Sequence, residues 1–142
     1  MNKRPKQKDR PGVDQYGRSG LHYAALDGNA DKVSELIANG LDPCAADDDG
    51  WTPLHFAAQS GSIPACVALL DARARVDARD LNGNSPLFRA VFCSRGRGEV
   101  IRLLRERGAD PKLINKHGVS PLSLAATIGN YDVRQFFVDL PE

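Results

Sequence analysis

Residues 47–62 read "DDDGWTPLHFAAQSGS". Almost every position in this stretch has a local structural meaning. An acid three places before Gly50 marks a tight turn, because glycine adopts positive φ without steric penalty. Thr52 then offers a capping hydroxyl. Pro53 stands at the first helical position, where its missing N–H costs nothing. A short apolar helix is expected over 54–60, ended by Gly61. A second apolar stretch, "CVALLDARARVD" (66–77), supplies a second helix. One such unit cannot bury its apolar face alone.

The chain repeats the unit. "DQYGRSGLHYAALDGN" begins at Asp14, "DLNGNSPLFRAVFCS" at Asp80 and "NKHGVSPLSLAATIGN" at Asn115. The turn glycines Gly17, Gly50, Gly83 and Gly118 are spaced by 33, 33 and 35 residues. Each block continues into its own second stretch: "KVSELIANGLDP", "VIRLLRERGADP" and "VRQFFVDL". Self-similarity at a fixed period is the mark of a stacked repeat architecture. Gly28 and Gly129 are expected to end first helices, Gly40 and Gly108 second helices. The expected organisation is a basic, disordered tail at 1–13 and a repeat domain at 14–142, divided as 14–46, 47–79, 80–114 and 115–142.

The pattern resembles the ankyrin repeat family over about nine-tenths of the chain. The resemblance is carried by "DGWTPLHFAAQSG" (49–61), by the alanine pairs 24–25, 57–58 and 125–126, and by "LLRERGADP" (103–111). Four copies in phase are far more specific than one. The departures are Ser19-Gly20 where Thr-Pro is usual, Arg73 in place of a helix-ending glycine, and Ala90-Val91 in place of paired alanines. The resemblance implies an all-α repeat solenoid, a linear stack of helix-turn-helix units with projecting β-hairpin-like fingers. End repeats need polar outer faces. Lys32, Ser34 and Glu35 fill that role in the first. Arg134, Gln135 and Asp139 do so in the last, whose second helix is expected to end within 136–140. Four repeats then read as the complete array, with no effector domain after it.

Composition narrows the function. The chain has 142 residues, 26% charged and 42% hydrophobic, a soluble globular balance. No apolar run approaches the roughly 20 residues of a membrane helix. No hydrophobic segment follows the basic N-terminus, which argues against a secretory signal. Cys44, Cys66 and Cys93 are odd in number and far apart, so a reducing cytoplasm is expected rather than a disulfide scaffold. The net charge of +1 hides an asymmetry. Residues 1–13 hold five basic groups and one acid, leaving 14 basic and 17 acidic groups, a net −3, in the body. An acidic body disfavours nucleic acid as partner. The tail leaves one alternative open, association with nucleic acid or an anionic surface through a disordered arm.

Catalytic motifs are not found. There is no Gly-Lys-Ser phosphate loop and no nucleophile elbow. No enzyme, cofactor or metal is expected. His22 and His55 occupy equivalent positions and read as ties between adjacent turns; a zinc pair would need convergent further ligands. Asp47, Asp48 and Asp49 lack Ca²⁺-loop spacing and read as a solvated turn. Cys66 reads as a small hydrophobe in the second helix. Cys93 is more exposed by its place in the repeat.

The resemblance places binding on the finger tips and the exposed side of the first helices. The fingers supply Gln15, Tyr16 and Arg18; Asp48, Asp49 and Trp51; Leu81, Asn82 and Asn84; Lys116, His117 and Val119. Helix ends supply Leu26 and Asp27; Gln59 and Ser60; Phe92 and Cys93; Thr127 and Ile128. Arg79 and Ile114 stand at repeat junctions. Trp51 has two readings, packing on a neighbouring finger or anchoring a partner. As an anchor it would be replaceable with little effect on melting. Tyr16, Leu81 and Phe92 extend an apolar strip, and Asp48 and Asp49 favour a partner with basic groups. The expected function is non-enzymatic: a monomeric module that binds another protein, as an inhibitor, an immunity-type protein or a scaffold.

Residues 94–100, "SRGRGEV", form a connector two residues longer than its sister loops. No strand precedes it, so it is not read as a phosphate loop. It is either a solvated link, whose shortening would leave folding intact, or a bulge that puts Arg95 and Arg97 on the groove rim.

Overall fold

Each repeat opens on a turn locked by one side chain. Asp14 Oδ1 accepts the N–H groups of Tyr16 and Arg18 at 2.9 and 3.0 Å. Asp47 does the same for Asp49 and Trp51, Asp80 for Asn82 and Asn84, and Asn115 for His117 and Val119. An acceptor on a short side chain is all this turn requires, so Asn serves as well as Asp. Neighbouring fingers join through single backbone bonds: Asp48 N–H to Tyr16 O, Leu81 N–H to Asp49 O, and Lys116 N–H to Asn82 O.

These observations come from a computed structural model, which describes residues 10–140. The expected disorder of the tail therefore lies mostly, at 1–9, outside the described residues. Seven α-helices follow the fingers: α1 (Gly20–Leu26), α2 (Ala30–Ala38), α3 (Pro53–Ser60), α4 (Ile63–Asp71), α5 (Pro86–Phe92), α6 (Glu99–Glu106) and α7 (Pro121–Thr127). A 3₁₀ helix, Val133–Phe137, comes last. Among the described residues there is no strand.

The helices form two layers. α1, α3, α5 and α7 stack in one; α2, α4 and α6 stack in the other. Buried alanines, Ala25 and Ala57 among them, let the first helices approach closely. Leu21, Leu54 and Leu87 hold one repeat position and are fully buried; so are Val33, Cys66 and Ile101 in the second layer. Ser62 links two repeats, capping α4 through the Ala65 N–H and donating its hydroxyl proton to Gly28 O.

Glycine is obligatory where fingers touch. Gly50 has φ +80, and a Cβ there would lie 2.8 Å from Leu81 N and 2.9 Å from Asp80 Cα. At the ends of second helices, Gly40 and Gly108 take φ 96 and 94. Arg73 holds the equivalent place at φ 70, a left-handed conformation that L side chains resist.

The last repeat differs from expectation. Its second segment is not α-helical but a five-residue 3₁₀ turn. Gly129 is not among the left-handed glycines; α7 ends instead at an extended Ile128, φ −76 and ψ 111. Among the described residues, only one side of this segment has a repeat to pack on. Short segments with one-sided support settle for i→i+3 bonding, because helices draw most of their stability from tertiary packing.

Candidate functional site

Arginines and aromatic rings alternate along the face made by the fingers and first helices. The Arg18 guanidinium lies 5.0 Å from the Tyr16 ring and 5.0 Å from the Phe56 ring. Trp51 stacks 4.9 Å from Phe56 and 5.7 Å from His55. Arg89 lies 4.5 Å over Trp51 and 5.2 Å from Phe92. Cation–π contacts of this kind strengthen as water is removed. The α3 and α5 positions that carry Phe56 and Arg89 correspond to Tyr23 and Leu124 in the outer repeats.

The acidic finger is not a solvated turn. Asp47 is 6% exposed; its Oδ2 accepts the Arg18 Nε–H at 3.1 Å while its Oδ1 holds the turn. Asp48 receives a fork from Arg10 at 2.8 and 2.9 Å. Two of the three acids are thus matched by the chain's own arginines. Arg89 is placed differently. Its Nη2 donates to Gln59 Oε1 at 3.1 Å, and its Nε is enclosed without a partner. Among the described residues no carboxylate pairs with it.

Two open hollows adjoin this ladder. One, of about 600 Å³, is lined by Arg18, Leu26, Asp49, Trp51, Phe56, Gln59, Leu81 and Asn82. The other, of about 540 Å³, includes Gln59, Ser60, Phe92, Cys93, Arg95 and Arg97 in its lining. Gln59 borders both. Twelve of the expected site residues therefore gather around one continuous surface. Tyr16 joins its edge through Arg18. The rest stand apart. Asn84 is committed between fingers, its Oδ1 accepting Asn115 Nδ2–H at 2.9 Å. Arg79 donates to Ile114 O, a tie between successive repeat junctions. Asp27, Lys116 and His117 are exposed and line neither hollow. Phe56 and Arg89 were not foreseen. The available signal was an arginine at a repeat position otherwise filled by Tyr23, Phe56 and Leu124.

The equivalent histidines tie repeats together. His22 Nδ1 accepts the Ser19 N–H at 3.0 Å, so its proton sits on Nε2, which donates to Ala45 O at 2.8 Å. His55 repeats this between Thr52 N–H and Asn84 O. Burial lowers both pKa values. Cys66 is fully buried, and burial pushes its thiol up to about 12.

The connector "SRGRGEV" is a seat for the last repeat. A Cβ on Gly98 would lie 2.1 Å from Phe136 Cε1; one on Gly96 would lie 3.0 Å from Tyr131. From the following helix, Arg102 lies over the Phe136 ring, and Arg105 forks Asp139 at 2.8 and 2.6 Å. The loop is thus more than a solvated link: Gly96 and Gly98 lie against Tyr131 and Phe136 of the last repeat. Arg95 and Arg97 project from the same loop and are exposed.

A family model described as ankyrin repeats (3 copies) matches residues 4–80 and 21–115. The potassium channel SKOR of Arabidopsis thaliana is 40% identical over 79 residues, 56% of this chain and 9% of that protein. The transient receptor potential cation channel subfamily A member 1 of Homo sapiens is 28% identical over 131 residues, 92% of this chain and 12% of that protein. Protein PhlB of Serratia liquefaciens is 39% identical over 109 residues, 76% of this chain and 47% of that protein. The chain thus spans less than half the length of these relatives. With the period, the locked fingers and the two helical layers, the match settles the classification: the chain belongs to the ankyrin repeat family.

Proposed function

We propose that this chain is a non-enzymatic protein-binding module whose partner docks on the finger-and-first-helix face. Ankyrin repeats are generally protein–protein interaction modules. The observation that carries the reading is the 600 Å³ hollow, where Leu26, Trp51, Gln59 and Leu81 from successive repeats meet with Arg18 and Asn82. Aromatic and aliphatic groups beside a few fixed polar ones are the make-up of an interface centre. Leu81 is 59% exposed and Phe92 62%, leaving apolar surface for a partner to cover. We further propose that the module acts as a monomer in the cytoplasm and works by occluding or scaffolding one partner. Among the described residues no helix is long and apolar enough to cross a membrane. The alternative through the basic tail gains no support: its last basic residue, Arg10, is engaged by Asp48.

Affinity capture from cell lysate tests the proposal, with the full chain, Trp51→Ala and Leu81→Asp as baits and mass spectrometry as readout. At least one protein should be enriched on the wild type and lost on both folded variants. Enrichment indifferent to both substitutions would overturn it.

A further inference from the structure

Arg89 is an arginine of this face with which no carboxylate pairs among the described residues. Arg18 has the buried Asp47 carboxylate at 3.1 Å. Among the described residues Arg89 has only the neutral Gln59 oxygen, although a guanidinium carries five N–H donors. Its guanidinium lies 4.5 Å from the Trp51 ring and 5.2 Å from the Phe92 ring, contacts that restrict where it can sit. Nε is enclosed, so the Nη edge of this half-buried, planar guanidinium is the side that a carboxylate would meet. Arg95 and Arg97 line the adjoining hollow, with Glu99 as the opposing charge there. The expectation of a basic partner rested on acids that mostly turn out to be paired.

We propose that the partner presents an acidic, extended peptide segment, with one Asp or Glu carboxylate seated on Arg89 and flanking acidic residues facing Arg95 and Arg97. The proposal rests on the protein-binding reading of this face and names its partner's chemistry. A peptide is favoured over nucleic acid for two reasons. Arg89 already occupies one face of the Trp51 ring, where a base would stack. The body carries a net −3, which repels a polyanion along most of its length while tolerating one local carboxylate contact.

The experiment is selection of a phage-displayed library of random 12-residue peptides on the full chain. The baits are wild type, Arg89→Gln, Arg89→Lys and the Arg95→Gln/Arg97→Gln double variant, each checked for folding by circular dichroism. Wild type should enrich peptides with Asp or Glu at a defined position. The synthetic form of the most enriched peptide should bind Arg89→Gln about tenfold or more weakly, the loss expected for one charge-assisted contact. Arg89→Lys should recover only part, since a point charge cannot make the fork. The exposed double variant should weaken binding and flatten its salt dependence, and it keeps the test decisive if Arg89→Gln does not fold. Enrichment of neutral or basic peptides, or acidic peptides indifferent to all variants, would overturn the acidic partner yet leave a binding module standing. Recovery of no peptide also overturns it, while lysate capture judges the module separately. Saturable binding of fluorescein-labelled dT12 that Arg89→Gln abolishes would assign the site to nucleic acid instead.

Discussion

The Arg89 guanidinium lies 4.5 Å over the Trp51 ring, reaching from the first helix of one repeat to the finger of the repeat before it. Trp51 is therefore half structural. It also packs on Phe56 and His55, so it cannot be replaced without effect on folding. Trp51→Ala should lower stability by about 1–3 kcal/mol. It should also weaken partner binding at least tenfold, the scale of an aromatic anchor. Thermal melts beside binding isotherms separate the two effects. A melting curve matching wild type would contradict the packing assignment.

Acid should loosen the stack through His22 and His55. Burial holds both folded pKa values below the ordinary 6.5. As pH falls, the unfolded chain therefore binds these protons first. Their contribution is complete above about pH 6.5 and is lost as pH drops from there toward the folded values. Each histidine can add a slope of up to about 1.4 kcal/mol per pH unit. Urea unfolding at about pH 7.5 and about pH 5.5 should show the fall. The His22→Gln/His55→Gln variant, less stable at neutral pH, should show a shallower one.

Arg73→Gly should stabilise the chain. Arginine at φ 70 pays a left-handed strain that glycine avoids, while glycine adds freedom to the unfolded chain. The balance is a gain of about 0.5–1 kcal/mol, visible as a rise of about 1–4 °C in Tm. Arg73 is exposed; its N–H donates to Leu70 O and its carbonyl accepts from Cys44 Sγ, backbone contacts that glycine would keep. An unchanged or lower Tm would show that the strain is relieved in some other way.

Gly50→Ala and Gly118→Ala should differ although both glycines have positive φ. At Gly118 (φ +75) a Cβ meets nothing within 4 Å, so strain alone applies, about 1 kcal/mol. At Gly50 the Cβ runs into the backbone of the next finger, and backbone cannot swing aside. That substitution should destabilise by at least 1 kcal/mol more. Equal effects in chemical denaturation would mean that the fingers are not in contact.

Much of the fold is legible in the sequence because its signals are local. Ser85 and Ser120 were legible as caps because each needs only the N–H three residues on, and both bonds form. The period follows from Gly17, Gly50 and Gly83 being needed at each finger contact. The last repeat misled: "VRQFF" has an apolar helical pattern, but the α form needs support on more than one side. That twelve of the expected residues line the two hollows follows from equivalent positions of a repeat sharing a face. The pairing of the charges around them was not legible. Asp47 and Asp48 look like an exposed acidic patch until Arg18 and Arg10 are placed against them.

What the sequence by itself determined is the unit: a turn, a cap, two short helices and the spacing at which they recur. These depend on bonds between residues a few positions apart. What only the tertiary structure decided is the company each side chain keeps between units. Arg18 meets Asp47 across 29 residues and Arg10 meets Asp48 across 38. Arg89 meets Trp51, and Gly98 meets Phe136, across equally long separations. Such pairs form only when one repeat is laid on the next at a particular offset and rotation. A one-dimensional pattern states that repeats stack, but their packed side chains determine which charges are matched within the chain.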